Sequence, residues 1–255
     1  MTSNPQSIEL RVIGVPGIPE VHSGDSLPSL IAESLRAAGL AVIAGDVFVV
    51  AQKVVSKAEG RTVELAGVEP SERARDWAAR YDKDARMVEV VLRESKRIVR
   101  MERGVLIAET AHGLICANAG VDASNVAPEV VTLLPLDSDA SARAIQATLE
   151  REFDTRVAVI VSDTFGRPWR EGITNVAIGV AGIAPLNDYR GQNDTHGRPL
   201  KVTVIAVADE LAAAAELVMG KTAGLPVVIV RGFDYTARAA SARELIRPAD
   251  SDLFR

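Results

Sequence analysis

One cysteine, three histidines and no apolar run approaching a membrane span set the first limits on this chain. Cys116 has no partner for an internal disulfide, which fits a reducing cytosol, so a cytoplasmic location is expected. His22, His112 and His196 are far apart, with no HxH, HExxH or CxxC, so zinc has no support. The apolar stretches fall well short of the roughly 20 residues a membrane helix needs. The start, MTSNPQSIELRVIGV, has no basic segment and no long apolar core, so no signal peptide is expected. Positive charge is also short. The net charge of −5 removes a bulk electrostatic case for nucleic acid or an anionic membrane as partner. An anionic substrate must then be held by a few placed cations or by metal ions.

Familiar nucleotide and nucleophile signatures are missing too. No GxGxxG and no GxSxG exists. The string GKT at 220–222 fails as a P-loop, because Ala215 stands at the first glycine position and ELAAAAELVM before it is helical in pattern. Cys116 sits in an apolar strand, where a buried inert thiol is the expected reading over a nucleophile.

What is present is an ordinary globular composition: 47% apolar and 25% charged over 255 residues, enough for one large domain or two small ones. Alternation predicts a strand at Ile8–Ile13, and GVPGIPEVHSGD is a loop. Helical spacing covers 27–38, with Ser26 or Asp25 as N-cap and Gly39 past its end. VFVVA at 47–51 is a strand, from which QKVVSKAEG carries Lys53 and Lys57. Helices are predicted over 71–81 and 84–96, then strands at 104–109 and 113–117 turning at His112-Gly113. A helix follows over 139–153, then an apolar strand, RVAVIVSD at 156–163, ending in an acidic loop. A long polar loop at 182–200 precedes a strand at 201–208, a helix at 209–219 and a strand at 226–231. The tail from Asp234 reads as loosely packed. Hairpins mixed with helices predict α+β architecture, with mixed or antiparallel sheets.

Two acidic loops, AGVDASN at 119–125 and SDTFGRPWR at 162–170, each follow an apolar strand. Asp163 and Thr164 are hard oxygen ligands of the kind that hold Mg²⁺ or Mn²⁺ beside phosphates. Gly166 allows close backbone approach, and Arg167 and Arg170 offer planar forks for phosphate or carboxylate. Asp122 can ligate metal, and Asn125 can donate to a base or phosphate. The bland alternatives are a capped turn with solvated arginines, and Asp and Asn used for turn chemistry alone. Lys53 and Lys57 suit a polyphosphate, or serve only solubility. GVPGIPEV either presents bare backbone N–H groups to a nucleotide or is a rigid connector. Together the set describes metal-assisted phosphoryl chemistry without a covalent nucleophile.

The segments GVPGIPEVHSGDSL, GDVFVVAQKVVSKAEGR, ICANAGVDASNV, VSDTFGRPWREG and VADELAAAAELVMGK…PVVIVRG resemble the F420 gamma-glutamyl ligase family, the coenzyme F420-0:L-glutamate ligases of deazaflavin cofactor biosynthesis. The likeness runs over residues 8–232 as one catalytic unit, leaving 233–255 as a C-terminal tail; a stand-alone form, without the nitroreductase-like domain fused to some members, is expected. It implies an α+β fold of two closely associated lobes, a homodimer, and GTP with divalent metal, helped by K⁺. The small-molecule substrates it implies are the deazaflavin F420 precursor, L-glutamate and GTP. Carried over by motif, GTP contacts fall on Ile18, Pro19, Glu20 and Val21, on Gln52, Lys53, Lys57 and Asn125, and on Met219, Gly220, Lys221, Thr222, Ala223, Gly224, Leu225 and Pro226. Metal ligation falls on Asp122, Asp163 and Thr164. Lys57, Arg167 and Arg170 are the expected catalytic side chains. The chain departs from the family's pattern at Lys221, where an acidic or amide residue is expected near a second metal. Implied is an acyl phosphate, made by attack of the precursor carboxylate on the GTP γ-phosphate and opened by the glutamate amine. The alternatives are a carboxylate–amine ligase on another phosphorylated acid, and a non-catalytic nucleotide-binding module.

Overall fold

The computed structural model describes residues 9–253. Its first elements are β1 (Arg11–Gly14), α1 (Leu27–Ala37), β2 (Val47–Ala51), α2 (Gln52–Ala58) and β3 (Thr62–Glu64). Next come α3 (Glu72–Tyr81), α4 (Ala85–Glu94), β4 (Ser95–Glu102), β5 (Val105–Thr110), β6 (Ile115–Ala117) and β7 (Val130–Thr132). The chain ends with α5 (Ser138–Phe153), β8 (Ala158–Arg167), β9 (Arg170–Ala181), β10 (Asn187–Asp188), β11 (Val204–Ile205), α6 (Val207–Met219) and β12 (Val227–Arg231). The fold is α+β, as expected. Ile8, the first residue of the expected first strand, lies outside the described residues, as do the last two of the tail.

A five-stranded sheet in the order β1-β12-β2-β8-β9 forms the centre, antiparallel throughout except for the parallel pair β2 and β8. Its strands read as continuous apolar runs because both faces are covered. Phe48, Val50, Val159, Val161, Val227 and Ile229 point to the face closed by α1 and α5. Their neighbours Val47, Val49, Ala158, Ile160, Val228 and Val230 point to the face closed by α6. The period of two thus builds two cores from one sheet. A third core, around Leu106, Val131 and Leu133, joins α4 and the sheet β4-β5-β6 to the short ladder β3-β7. Among the described residues no helix is long and apolar enough to cross a membrane.

Several expectations are corrected. SDTFGRPWR is not a loop: β8 runs on to Arg167 and returns as the twelve-residue β9, turning at Pro168-Trp169. The β-branched sequence REGITNVAIGVA gives β8 a ladder partner that extends it beyond its apolar part. QKVVSKAEG forms α2 directly after β2, burying Gln52, Val55 and Ser56 on one side. Residues 95–102, read partly as helix end, form β4. Within the expected strand 201–208 only Val204 and Ile205 pair, and α6 already begins at Val207. The tail is not loose: Phe233, Tyr235 and Leu245 pack on the α6-side core, and Ser241 and Glu244 form a capping box.

Asp46, fully buried at the head of β2, accepts from Arg231 Nε and Nη2 at 2.7 and 2.8 Å. Arg231→Ala would strand that carboxylate without a cation. The expected loss is about 3 kcal/mol, read as a shift of the urea midpoint.

Candidate active site

Strand direction brings the site together. With β12 antiparallel to both β1 and β2, and β8 parallel to β2, the C-terminal ends of β1, β2 and β8 share one edge with the start of β12. A crevice at such an edge is where open sheets with parallel strands bind ligands. The segment at 18–21 follows β1, Gln52, Lys53 and Lys57 follow β2, and the segment at 219–226 leads into β12. All of them line one cleft of 770 Å³ with Asp163 and Thr164, except Ala223. From the third core, Asp122 and Asn125 reach over the same cleft. A left-handed run at Asn118, Ala119 and Gly120 aims this second loop, and a Cβ on Gly120 would lie 2.6 Å from Leu134.

The expected residues therefore converge, with Arg167 and Arg170 as exceptions beside Ala223. Arg167 and Arg170 sit at the tip of the β8–β9 hairpin, outside the cleft lining, where Arg167 donates to the carbonyls of Glu171 and Gly172. Several lining residues carried no sequence signal, among them Ser124, Asn175, Glu216 and Ile173. Asn175 is a polar residue in an apolar strand, and register alone sets it opposite Thr164.

Around the two carboxylates the contacts are specific. Asp122 Oδ2 pairs with Lys53 Nζ at 2.9 Å, and Oδ1 accepts from the Ser124 amide at 2.7 Å. Burial pushes the Asp122 carboxyl up, but the Ser124 amide and Lys53 ammonium outweigh it and hold it below its ordinary range. Asp163 is in the opposite position. Burial pushes it up to about 6, with Asp122 adding to the push, against the Thr164 amide and the more distant Lys53 and Lys221. Lys57, only 13% exposed, pairs with Glu20 at 2.6 Å on the cleft wall. Gln52 is buried, its amide nitrogen donating to Leu133 O at 2.9 Å. Burial first, then Asp163, raises the Cys116 thiol to about 12, in line with an inert buried cysteine.

This donor set fits Mg²⁺ or Mn²⁺. Among the described residues no third His, Cys, Asp or Glu joins the pair. A hard cation seated there would draw its other oxygens from Thr164, water and substrate, as Mg²⁺ sites commonly do.

One prediction follows for the metal-free protein. The folded-state value of Asp163 lies above its ordinary 3.8, so ionising it costs stability. The cost is absent below about pH 4, grows as pH rises through about 6 and is complete above. In metal-chelated buffer Asp163→Asn should be more stable than the parent by about 3 kcal/mol at pH 7.5 and equal to it at pH 4. Thermal melts at the two pH values measure the difference.

The F420-0:Gamma-glutamyl ligase family model matches residues 17–232. The chain is 45% identical over 249 residues to the coenzyme F420:L-glutamate ligase of Methanothermobacter thermautotrophicus, covering 96% of this chain and 99% of the other. It is 46% identical over 251 residues to the protein of that name from Methanopyrus kandleri, covering 96% and 98%. The Archaeoglobus fulgidus protein of the same name is 41% identical over 249 residues, covering 97% of each.

Proposed function

The chain belongs to the F420-0:gamma-glutamyl ligase family, and on that footing we propose that it joins L-glutamate to the carboxylate of coenzyme F420-0 at the expense of GTP. A further glutamate would be γ-linked to the F420-1 so formed. The observation that carries the reading is that Asp163, beyond the paired ends of the parallel strands, and Asp122, from the neighbouring loop, line one cleft with Lys53, Lys57 and Lys221.

In the proposed reaction a carboxylate oxygen of the precursor attacks the γ-phosphorus of GTP. The bond to the bridging oxygen breaks and GDP leaves with its electrons, giving an acyl phosphate. The glutamate α-amine then attacks the acyl carbon. A C–N bond forms, the C–O bond breaks, inorganic phosphate leaves and the amine releases a proton. In the second round the side-chain carboxylate of the added glutamate takes the precursor's place.

This chain's residues divide the work. Asp122 and Asp163, with the one lone pair of the Thr164 hydroxyl that Lys221 leaves open, would hold Mg²⁺ or Mn²⁺, which offsets the charge of a carboxylate nearing a triphosphate. Lys53 fixes Asp122 in place, and Lys57 brings an ammonium to the phosphates from the wall formed by Glu20. The segments at 18–21 and 219–226, with Gln52 and Asn125, provide the walls for the nucleotide. From the hairpin tip, Arg167 and Arg170 would orient a phosphate or carboxylate of substrate projecting beyond the cleft. Homodimeric assembly, help from K⁺ and a cytoplasmic location belong to the same proposal.

Purified protein given GTP, Mn²⁺, L-glutamate and F420-0 should release GDP and yield a product heavier by glutamate. Mass spectrometry of that product fixes acceptor and glutamate count together. Absence of any glutamylated product under these conditions would sink the reading.

A further inference from the structure

The second metal that the family resemblance implies does not fit this chain, because the residue at its expected place is itself a cation. Lys221 stands just past the end of α6, on the loop that leads to β12. Its Nζ donates to Thr164 Oγ1 at 2.8 Å and pairs with Glu216 Oε1 at 2.7 Å. Thr164 Oγ1 in turn donates its proton to Asn175 Oδ1 at 2.7 Å. The hydroxyl's proton is thus committed to Asn175 and one of its lone pairs to the ammonium. Glu216, a carboxylate lining the same cleft, is committed to Lys221 as well. A divalent ion at this position would meet an ammonium already on both of the oxygens it needs.

We propose that Lys221 Nζ is a tethered cation filling the place beside Thr164 and Glu216 where a second divalent ion would bind, so that the cleft takes a single divalent cation, between Asp122 and Asp163. The inference rests on the metal-dependent ligase reading above. An ammonium has three N–H donors, and Thr164 and Glu216 take two, so the third can serve a phosphate oxygen on the cleft side. Unlike a metal ion, this charge cannot dissociate, and it contributes no ligand-exchange step. Lys221 is a positioning residue in this account. It holds the Thr164 hydroxyl and one increment of positive charge in place whatever the concentration of free metal.

The test is Mn²⁺ stoichiometry on the whole purified chain, read from the electron paramagnetic resonance of free Mn²⁺, with and without GTP. The parent should bind about one Mn²⁺ per chain. Lys221→Gln frees Glu216 and Thr164 and adds an amide oxygen, so it should bind one Mn²⁺ more than the parent, while Lys221→Arg should bind the same number as the parent. The inference is judged on these counts. A parent that binds two Mn²⁺ overturns it, as does a Lys221→Gln protein with the parent's stoichiometry or an extra Mn²⁺ in Lys221→Arg. The parent's own value judges the metal centre separately: a parent that binds no Mn²⁺ defeats the Asp122–Asp163 reading and leaves the increment to decide on Lys221.

Discussion

Asp163→Asn is expected to lower kcat/KM for glutamate ligation by at least about 10³-fold, the equivalent of about 4 kcal/mol of lost transition-state stabilisation. The substitution nearly preserves shape, and an Asn oxygen can still accept from the Thr164 amide, which donates at 2.8 Å in the parent. What it removes is the charge of the carboxyl that burial and Asp122 together raise to about 6. A divalent cation held between two carboxylates then faces only one. The loss should accompany an increase in metal-free stability at neutral pH, the effect predicted above. That opposite pair of changes distinguishes a group serving function from one serving the fold. Steady-state kinetics over a range of Mn²⁺ concentrations checks it. Rates like the parent's at saturating metal would remove Asp163 from the centre.

The second large effect is expected at Lys57. Lys57→Ala should lower kcat/KM for GTP by about 10²-fold, the size seen when one charged donor to a reacting phosphoryl or oxyanion is lost. Glu20→Gln is the control. Glu20 is 68% exposed, and an ion pair with so solvated a partner contributes little to stability. If Lys57 serves only that pair, the two variants should behave alike. If its ammonium faces phosphates, Lys57→Ala should fall far below Glu20→Gln, and Lys57→Arg should recover part of the loss. Equal, mild effects in both variants would reduce Lys57 to a surface contact.

Candidate groups could be named at single residues, and their geometry could not. Asp122, Asp163 and Thr164 could be picked out because hard oxygen donors at the ends of apolar strands have few structural uses. The helices α1 and α5 were readable nearly to their ends because their apolar spacing and terminal signals agree. The β8–β9 hairpin was misread, since nothing local announces that Asp163 to Arg167 will gain a strand partner from residues 170–176. Pairing between strands is a non-local event, and a polar half-strand looks like a loop until its ladder exists. The same limit hid Asn175, whose importance is its register opposite Thr164 and not its type. The tail was misjudged for a related reason. Its apolar residues are sparse along the chain, but they meet a groove over the α6-side core that only the folded sheet provides.

The two acidic segments and the lysines near them were determined by the amino-acid sequence alone, as were the continuous apolar strands and the lack of HExxH, CxxC and P-loop motifs. Tertiary structure decided which of these groups meet. The parallel pairing of β2 with β8 puts Lys53, Lys57 and Asp163 at one sheet edge, and the left-handed turn at 118–120 turns Asp122 toward them. It also decided that Arg167 and Arg170 stand away from the cleft, and that Lys221 lies on Thr164. Residue type sets what a side chain can do. Electrostatic effects fall off over a few ångströms, so which of those capacities act together depends on distances that only the folded chain defines.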